Sequence, residues 1–140
     1  MTANFNEMNQ KVIDEFRANG GKAGGMFEGK PLVLVHHFGA KSGTERITPL
    51  VPYLEDGRIF IFASKAGADT NPDWFHNLLA HPETTVELGT ETMPVTARVL
   101  DGAERDEIYA KQVAAQPQFG DYQKSTSRII PVVELQRSSG

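Results

Sequence analysis

The segment Asp56-Gly57-Arg58-Ile59-Phe60-Ile61-Phe62-Ala63 constrains the fold more than any other. Asp-Gly suits a two-residue type I′ hairpin, in which both central residues take positive φ. The run after it is apolar at every position, so the strand it forms must be covered on both faces, which predicts a central strand. Residues 47–54 read as its antiparallel partner. With Asp56-Gly57 as the turn, the register sets Lys65 opposite Thr48, Arg46 opposite Gly67 and Pro52 opposite Ile61. Pro49 then faces Ser64 where the ladder needs an N–H, which predicts a bulge or parting around 48–50.

The other short apolar runs extend this pattern. Leu32-Val33-Leu34-Val35 reads as a buried strand ending near Phe38. Residues 84–88 and 93–100 flank the turn Gly89-Thr90-Glu91-Thr92, and 129–135 form a last strand. Three helices accompany them. Phe5, Met8, Val12 and Phe16 recur at helical spacing over 4–18, up to Gly20-Gly21. Asn71 as N-cap and Pro72 at the first helical position open a helix that reaches His81 and is ended by Pro82. Asp101 with Glu104 fits a capping box for a helix over 102–115. The result is a mainly β, α+β fold: a six-stranded antiparallel barrel with peripheral helices. No strand–helix–strand repeat supports a doubly wound sheet. The organisation predicted is an N-terminal helix (1–20), a Gly-rich linker (21–26), a barrel domain (27–136) and a tail (137–140). The helix is read as packed on the core, with a mobile flap as the alternative.

Composition removes several chemistries. The chain has no cysteine, which excludes disulfides, thiolate catalysis and zinc or iron–sulfur centres built on cysteine. A formal charge of −4 disfavours nucleic acid as a partner. No apolar run approaches the roughly 20 residues of a membrane-spanning helix, and the N-terminus lacks a signal-peptide pattern. A cytoplasmic protein without an integral membrane segment is expected. His36 and His37 are adjacent on a strand and point to opposite faces. His76 and His81 are five apart, off the spacing of helical metal ligands. No metal site is predicted, and structural roles are expected for His37 and His81.

The cations, by contrast, converge. The first strand runs into Gly39-Ala40-Lys41-Ser42-Gly43-Thr44-Glu45-Arg46, which is not a P-loop. The hairpin returns Lys65 to the same end, and the helix after Asn71-Pro72 starts there. Lys41, Arg46, Lys65 and a helix N-terminus on one rim of an acidic protein form a candidate phosphate site. Parted strands beside that rim would offer backbone groups to a planar heterocycle.

At this point Gly39-Ala40-Lys41-Ser42-Gly43, Arg46, Thr48-Pro49-Leu50, Ala63-Ser64, Asn71-Pro72-x-Trp74-Phe75-His76-Asn77, Tyr122-Gln123 and Ile130-Pro131-Val132 together resemble the deazaflavin-dependent nitroreductase family, over roughly residues 27–136. The resemblance implies a split β-barrel, like that of FMN-binding proteins, and coenzyme F420, an 8-hydroxy-5-deazaflavin with an acidic tail. FMN is the alternative cofactor. It implies that Ala40, Lys41, Ser42 and Arg46 hold the phosphate, and that Ile47, Thr48, Pro49, Leu50, Val51, Phe62, Ala63, Ser64 and Lys65 line the deazaflavin. Asp73, Trp74, Phe75, His76 and Asn77 would close the other wall. Tyr122 matches an aromatic position beside the substrate and is the candidate proton donor. Phe119 and Ser125 stand where nitroimidazole-activating members carry tyrosines, which argues against that activity. The expected reaction is hydride transfer to a planar electron-poor acceptor: a quinone, an enone or a nitroaromatic. A quinone would also allow peripheral membrane contact. A binding protein without turnover is the alternative function, and the oligomeric state stays open.

Overall fold

The computed structural model describes residues 2–21 and 32–137, with side chains described from residue 10 onward except residue 66. The predicted linker after Gly21 and the end of the tail lie outside the described residues, as do the side chains of Phe5 and Met8. Four α-helices and seven strands are present among the described residues. They are α1 (Thr2–Ala18), β1 (Val33–Phe38), β2 (Glu45–Leu50), β3 (Tyr53–Glu55), β4 (Arg58–Phe62), α2 (Asp73–Ala80), β5 (Glu83–Leu88), β6 (Glu91–Leu100), α3 (Gly102–Ala115), α4 (Gln118–Lys124) and β7 (Val132–Arg137), with a 3-10 turn at Lys65–Gly67. The strands form one antiparallel sheet in the order β2-β1-β5-β6-β7-β4-β3.

Seven strands replace the six expected, because the run 47–54 is not one strand. The hairpin register holds where it was strongest: Asp56 and Gly57 have φ of 51° and 79°, and Tyr53 faces Phe60 while Glu55 faces Arg58. Beyond Pro52 the chain leaves β4. Its continuation, β2, pairs with β1 instead, setting Arg46 opposite His37, Thr48 opposite Val35 and Pro49 opposite Leu34. The expected pairs Lys65–Thr48 and Arg46–Gly67 therefore do not form. The parting falls at Val51-Pro52, a little later than the 48–50 expected from Pro49. β7 pairs along the other side of β4, with Ile59 opposite Leu135 and Phe62 opposite Val132. The two outermost strands, β2 and β3, are thus joined through two residues, and the sheet curls into a half-barrel.

β4 is not central in the sheet, as its apolar pattern suggested; helices cover it instead. Ile59 and Ile61 point into the curled interior with Val33, Val35, Val86, Val133 and Leu135. Phe60 and Phe62 point outward into a second cluster under α3 and α4, with Ile108, Tyr109 and Phe119. α2 closes the interior with Trp74, Phe75 and Leu78. α1 covers the outer face of β1 and β2: Ile13 and Phe16 are buried against Leu32 and Leu34, with Ile47 beside them. Arg17 on α1 also makes a bidentate bond to Glu87 on β5, at 2.7 and 3.0 Å.

Helix ends differ from the sequence reading in detail. α2 starts at Asp73 with Pro72, not Asn71, as its N-cap. Asp101 does cap α3 but makes no side-chain cap bond, and Glu104 turns to Arg98 instead. The turn between β5 and β6 is only Gly89-Thr90, and the last strand begins at Val132. α4 was not foreseen. No helix among the described residues is long and apolar enough to cross a membrane, which says nothing of strands.

Candidate functional site

β1 rises to the loop 39–44, β2 descends from it, and β4 rises to the turn at Lys65. The loop, the 3-10 turn and α2 therefore share one end of the half-barrel. β2 is an edge strand, so its side away from β1 carries no partner strand. This free edge, the loop and the turn define the candidate site.

The loop is tied down by its own backbone. The Gly39 N–H donates to the Thr44 carbonyl at 3.0 Å, and the Gly43 N–H donates to the Gly39 carbonyl at 2.8 Å. The Thr44 N–H donates to Ser42 Oγ at 3.2 Å. Ala40, Lys41 and Ser42 are consequently exposed at the tip. Lys41, Arg46 and Lys65 form no ion pair among the described residues, whereas Arg17, Arg58, Arg98 and Lys111 are each bound to a carboxylate. The Lys65 ammonium donates to the Thr70 hydroxyl, at 3.2 Å. Such uncompensated cations, next to exposed backbone, suit an anionic ligand.

The pleat sorts the predicted residues. Arg46, Thr48 and Leu50 lie on the face of β2 shared with His37, Val35 and Val33, their register partners. Ile47 and Pro49 point the other way, Ile47 into the α1 cluster, so they can meet a ligand only through backbone. Val51 lies half-buried at the parting. The Phe62 ring is packed against Tyr109 and Phe119 on the outer face. Ala63 is buried in the interior, and the Ser64 carbonyl is engaged by Arg128. Trp74 and Phe75 belong to the interior core. Asp73 and His76 are exposed on α2.

Asn77 is buried and is the hub of a hydrogen-bond chain. The Ala40 N–H donates to its Oδ1 at 3.0 Å. Its Nδ2 lies 2.9 Å from His37 Nδ1, and His37 Nε2 lies 2.8 Å from Thr48 Oγ1. The sequence reading assigned His37 no part beyond structure, yet His37 joins the loop, α2 and β2. Burial, reinforced by the nearby Arg46, pushes its imidazole down to about 4, so it is neutral at ordinary pH.

The opposite wall runs from Ser64 to Asn71. Arg128 fixes it from behind: its Nε donates to the Ala68 carbonyl, one terminal nitrogen to Asn71 Oδ1 and the other to the Ser64 carbonyl, at 2.7 to 3.0 Å. No local pattern in the sequence marked Arg128, because its partners lie about sixty positions away in the chain. α4 seats directly on the turn, where a Cβ on Gly67 would come 3.0 Å from the Tyr122 carbonyl oxygen. Tyr122 is half-buried beside Phe119, with ring centroids 5.2 Å apart, and its hydroxyl has no hydrogen-bond partner among the described residues. The structure thus brings together Lys65 and the Tyr122 backbone on one side, and Ala40, Arg46, Thr48 and Asn77 on the other.

A family model described as F420H(2)-dependent quinone reductase matches residues 8–137. The chain is 35% identical over 127 residues to an F420H(2)-dependent quinone reductase of Mycobacterium tuberculosis, covering 87% of this chain and 85% of the relative. A solved F420-H2 dependent reductase superposes with a TM-score of 0.70 at 39% identity, over 76% of this chain and 94% of its own. A second structure, described as a domain-swapped dimer, gives a TM-score of 0.72 at 33% identity, over 97% and 100% of the two chains.

Proposed function

We infer the function from one premise: the chain belongs to the family of F420H(2)-dependent quinone reductases. It is an F420H2-dependent oxidoreductase, and we read its curled half-barrel as a form of the split β-barrel that the sequence resemblance implied. The observation that carries the reading is the free edge of β2 beside the unpaired cations Lys41, Arg46 and Lys65. These residues fit a planar ring that continues into an anionic tail: donors and cations dominate, and no carboxylate among the described residues is bound to the three.

When bound, the reduced deazaflavin supplies a hydride from the ring carbon that replaces the N5 of a flavin. In our reading Arg46, Lys41 and the backbone of the loop tip hold the phosphate, and Lys65 adds charge toward the acidic tail. The Thr48–Val51 backbone and the Ala63–Lys65 segment flank the ring. Ile47, Pro49, Trp74 and Phe75 support it from behind. Tyr122 stands over the Lys65 turn, with a hydroxyl free to bond an acceptor oxygen or give it a proton. The acceptor is a quinone or a comparably planar electron-poor molecule, and a quinone drawn from a bilayer would require peripheral membrane contact. The deciding experiment titrates the purified protein with the deazaflavin and with FMN by cofactor fluorescence, then measures quinone reduction. Tight binding of FMN with none of the deazaflavin would overturn the assignment.

A further inference from the structure

The chain Ala40–Asn77–His37–Thr48 has a direction that its chemistry fixes. A backbone N–H can only donate, so the Asn77 atom facing Ala40 is the oxygen and the one facing His37 is the amide nitrogen. The amide donates, so His37 Nδ1 accepts. A neutral imidazole carries one N–H, which must then sit on Nε2 and donate to Thr48 Oγ1. Thr48 receives this bond and retains its own O–H proton. Among the described residues no oxygen accepts that proton, although Thr48 lies half-buried on the face of β2 that carries Arg46.

We propose that Asn77 and His37 are positioning residues that fix the Thr48 hydroxyl as a hydrogen-bond donor to an acceptor oxygen of the bound deazaflavin cofactor. The proposal rests on the reading that the cofactor lies along β2. Without the chain above it, a threonine hydroxyl can accept or donate and loses part of its binding energy in settling the choice. Held by His37, it is committed before the ligand arrives. The titratable groups whose charge acts on His37 are Arg46 from β2, Asp73 from α2 and, from the opposite face of its own strand, His36, and none of them makes a hydrogen bond to its ring.

Two readouts test the proposal. The first needs no cofactor: long-range nitrogen-15 NMR of the protein reads the His37 tautomer directly. The Nε2–H form is expected from pH 6 to 8. Asn77→Asp replaces a donor by a carboxylate of nearly the same shape, and should give a charged ring at low pH and the Nδ1–H form at high pH. An Nδ1–H tautomer in the unaltered protein would overturn the proposal. The second readout is cofactor affinity by fluorescence titration. Thr48→Val should weaken binding about tenfold, and Thr48→Ser should restore it to within about twofold, the scale of one hydrogen bond to a polar or charged acceptor. In the Asn77→Asp background at high pH the hydroxyl is turned toward His37, so adding Thr48→Val should cost nothing further. A Thr48→Val protein that folds and binds as tightly as the unaltered one would sink the idea. Repeating the titration with the deazaflavin that keeps only its ribityl chain, without phosphate and tail, locates the oxygen. A loss that persists assigns it to the ring or its ribityl chain, and one that vanishes assigns it to the phosphate or the acidic tail. If the unaltered protein binds no deazaflavin, the functional reading fails, while the NMR result still decides the direction of the chain.

Discussion

Gly67→Ala should separate α4 from the wall of the site, and its cost can be worked out in advance. Gly67 has φ of +85°, where a methyl group costs about 1–2 kcal/mol. The added Cβ would also stand 2.9 Å from the Ser125 Cβ and 3.0 Å from the Tyr122 carbonyl oxygen, and one of these is backbone that cannot swing away. Overpacking of that kind costs about 1–3 kcal/mol more. Gly57 supplies the control: its φ is +79°, and a Cβ there meets nothing within 4 Å. Gly57→Ala should therefore show the backbone cost alone. For a domain of this size about 1 kcal/mol moves Tm by roughly 3–5 °C. Thermal unfolding followed by circular dichroism should drop by about 14 °C in Gly67→Ala and by about 6 °C in Gly57→Ala. Equal losses in the two variants would mean that α4 is not seated on the Lys65 turn, and the placement of Tyr122 beside the site would lose its structural basis.

Arg46→Ala should weaken deazaflavin binding by about 1.5–3 kcal/mol, the scale of a charge-assisted hydrogen bond, and flatten its salt dependence; an unchanged Kd with an intact fold would refute the phosphate rim. Tyr122→Phe should lower kcat with a quinone by about 10- to 100-fold while cofactor affinity stays put, if the hydroxyl gives a proton; full turnover would reduce Tyr122 to packing. Phe16→Ala removes a ring that is 1% exposed beneath α1 and should cost about 3–5 kcal/mol in urea unfolding, whereas a helix acting as a loose flap would lose almost nothing. His37 gives a pH signature. Its pKa is lowered in the fold to about 4, so between about pH 6.5 and 4 the unfolded chain binds a proton that the folded chain does not. Stability is then complete above pH 6.5 and falls as pH drops through that window. Urea midpoints at pH 7 and pH 5 should differ less in His37→Gln, and an identical pH dependence would show that His37 is not held neutral.

Much of the architecture was legible because it rests on local rules. Asp56-Gly57 fixed its own turn type, and alternation or continuous apolarity marked each run. Pro49 signalled trouble in the strand after Arg46, but the chain parts from β4 two residues later, at Val51-Pro52, and 45–50 stays regular on β1. Its new partner could not be read, since pairing with β1 rather than β4 is decided by which free edge is near in the folded chain. The covered β4 was misplaced for a related reason: an apolar strand announces that both faces are buried, but not whether strands or helices bury them. In the site, the cations were legible as an imbalance on an acidic chain. His37 and Arg128 were not, because each acts through partners distant in sequence, and an isolated polar residue carries no sign of what it will meet.

The two walls of the site are held by the same device applied from opposite sides. On one, Asn77 and His37 reach from α2 and β1 to grip Ala40 and Thr48. On the other, Arg128 reaches from beyond α4 to grip Ser64, Ala68 and Asn71. Each anchor spends its polar atoms on backbone or on a neighbouring side chain behind the wall, and leaves Lys41, Arg46, Lys65 and the Thr48 hydroxyl proton for whatever lies between. An unpaired strand edge would ordinarily invite another chain to pair with it. Here the edge is flanked by exposed cations and bent away at Pro52, so a flat neutral strand is a poor match while a planar ring with an anionic tail is a good one. On the reading proposed above, the parting of the chain at Val51-Pro52 is therefore what leaves the edge of β2 open to a ligand, with the buried anchors fixing the segments on either side.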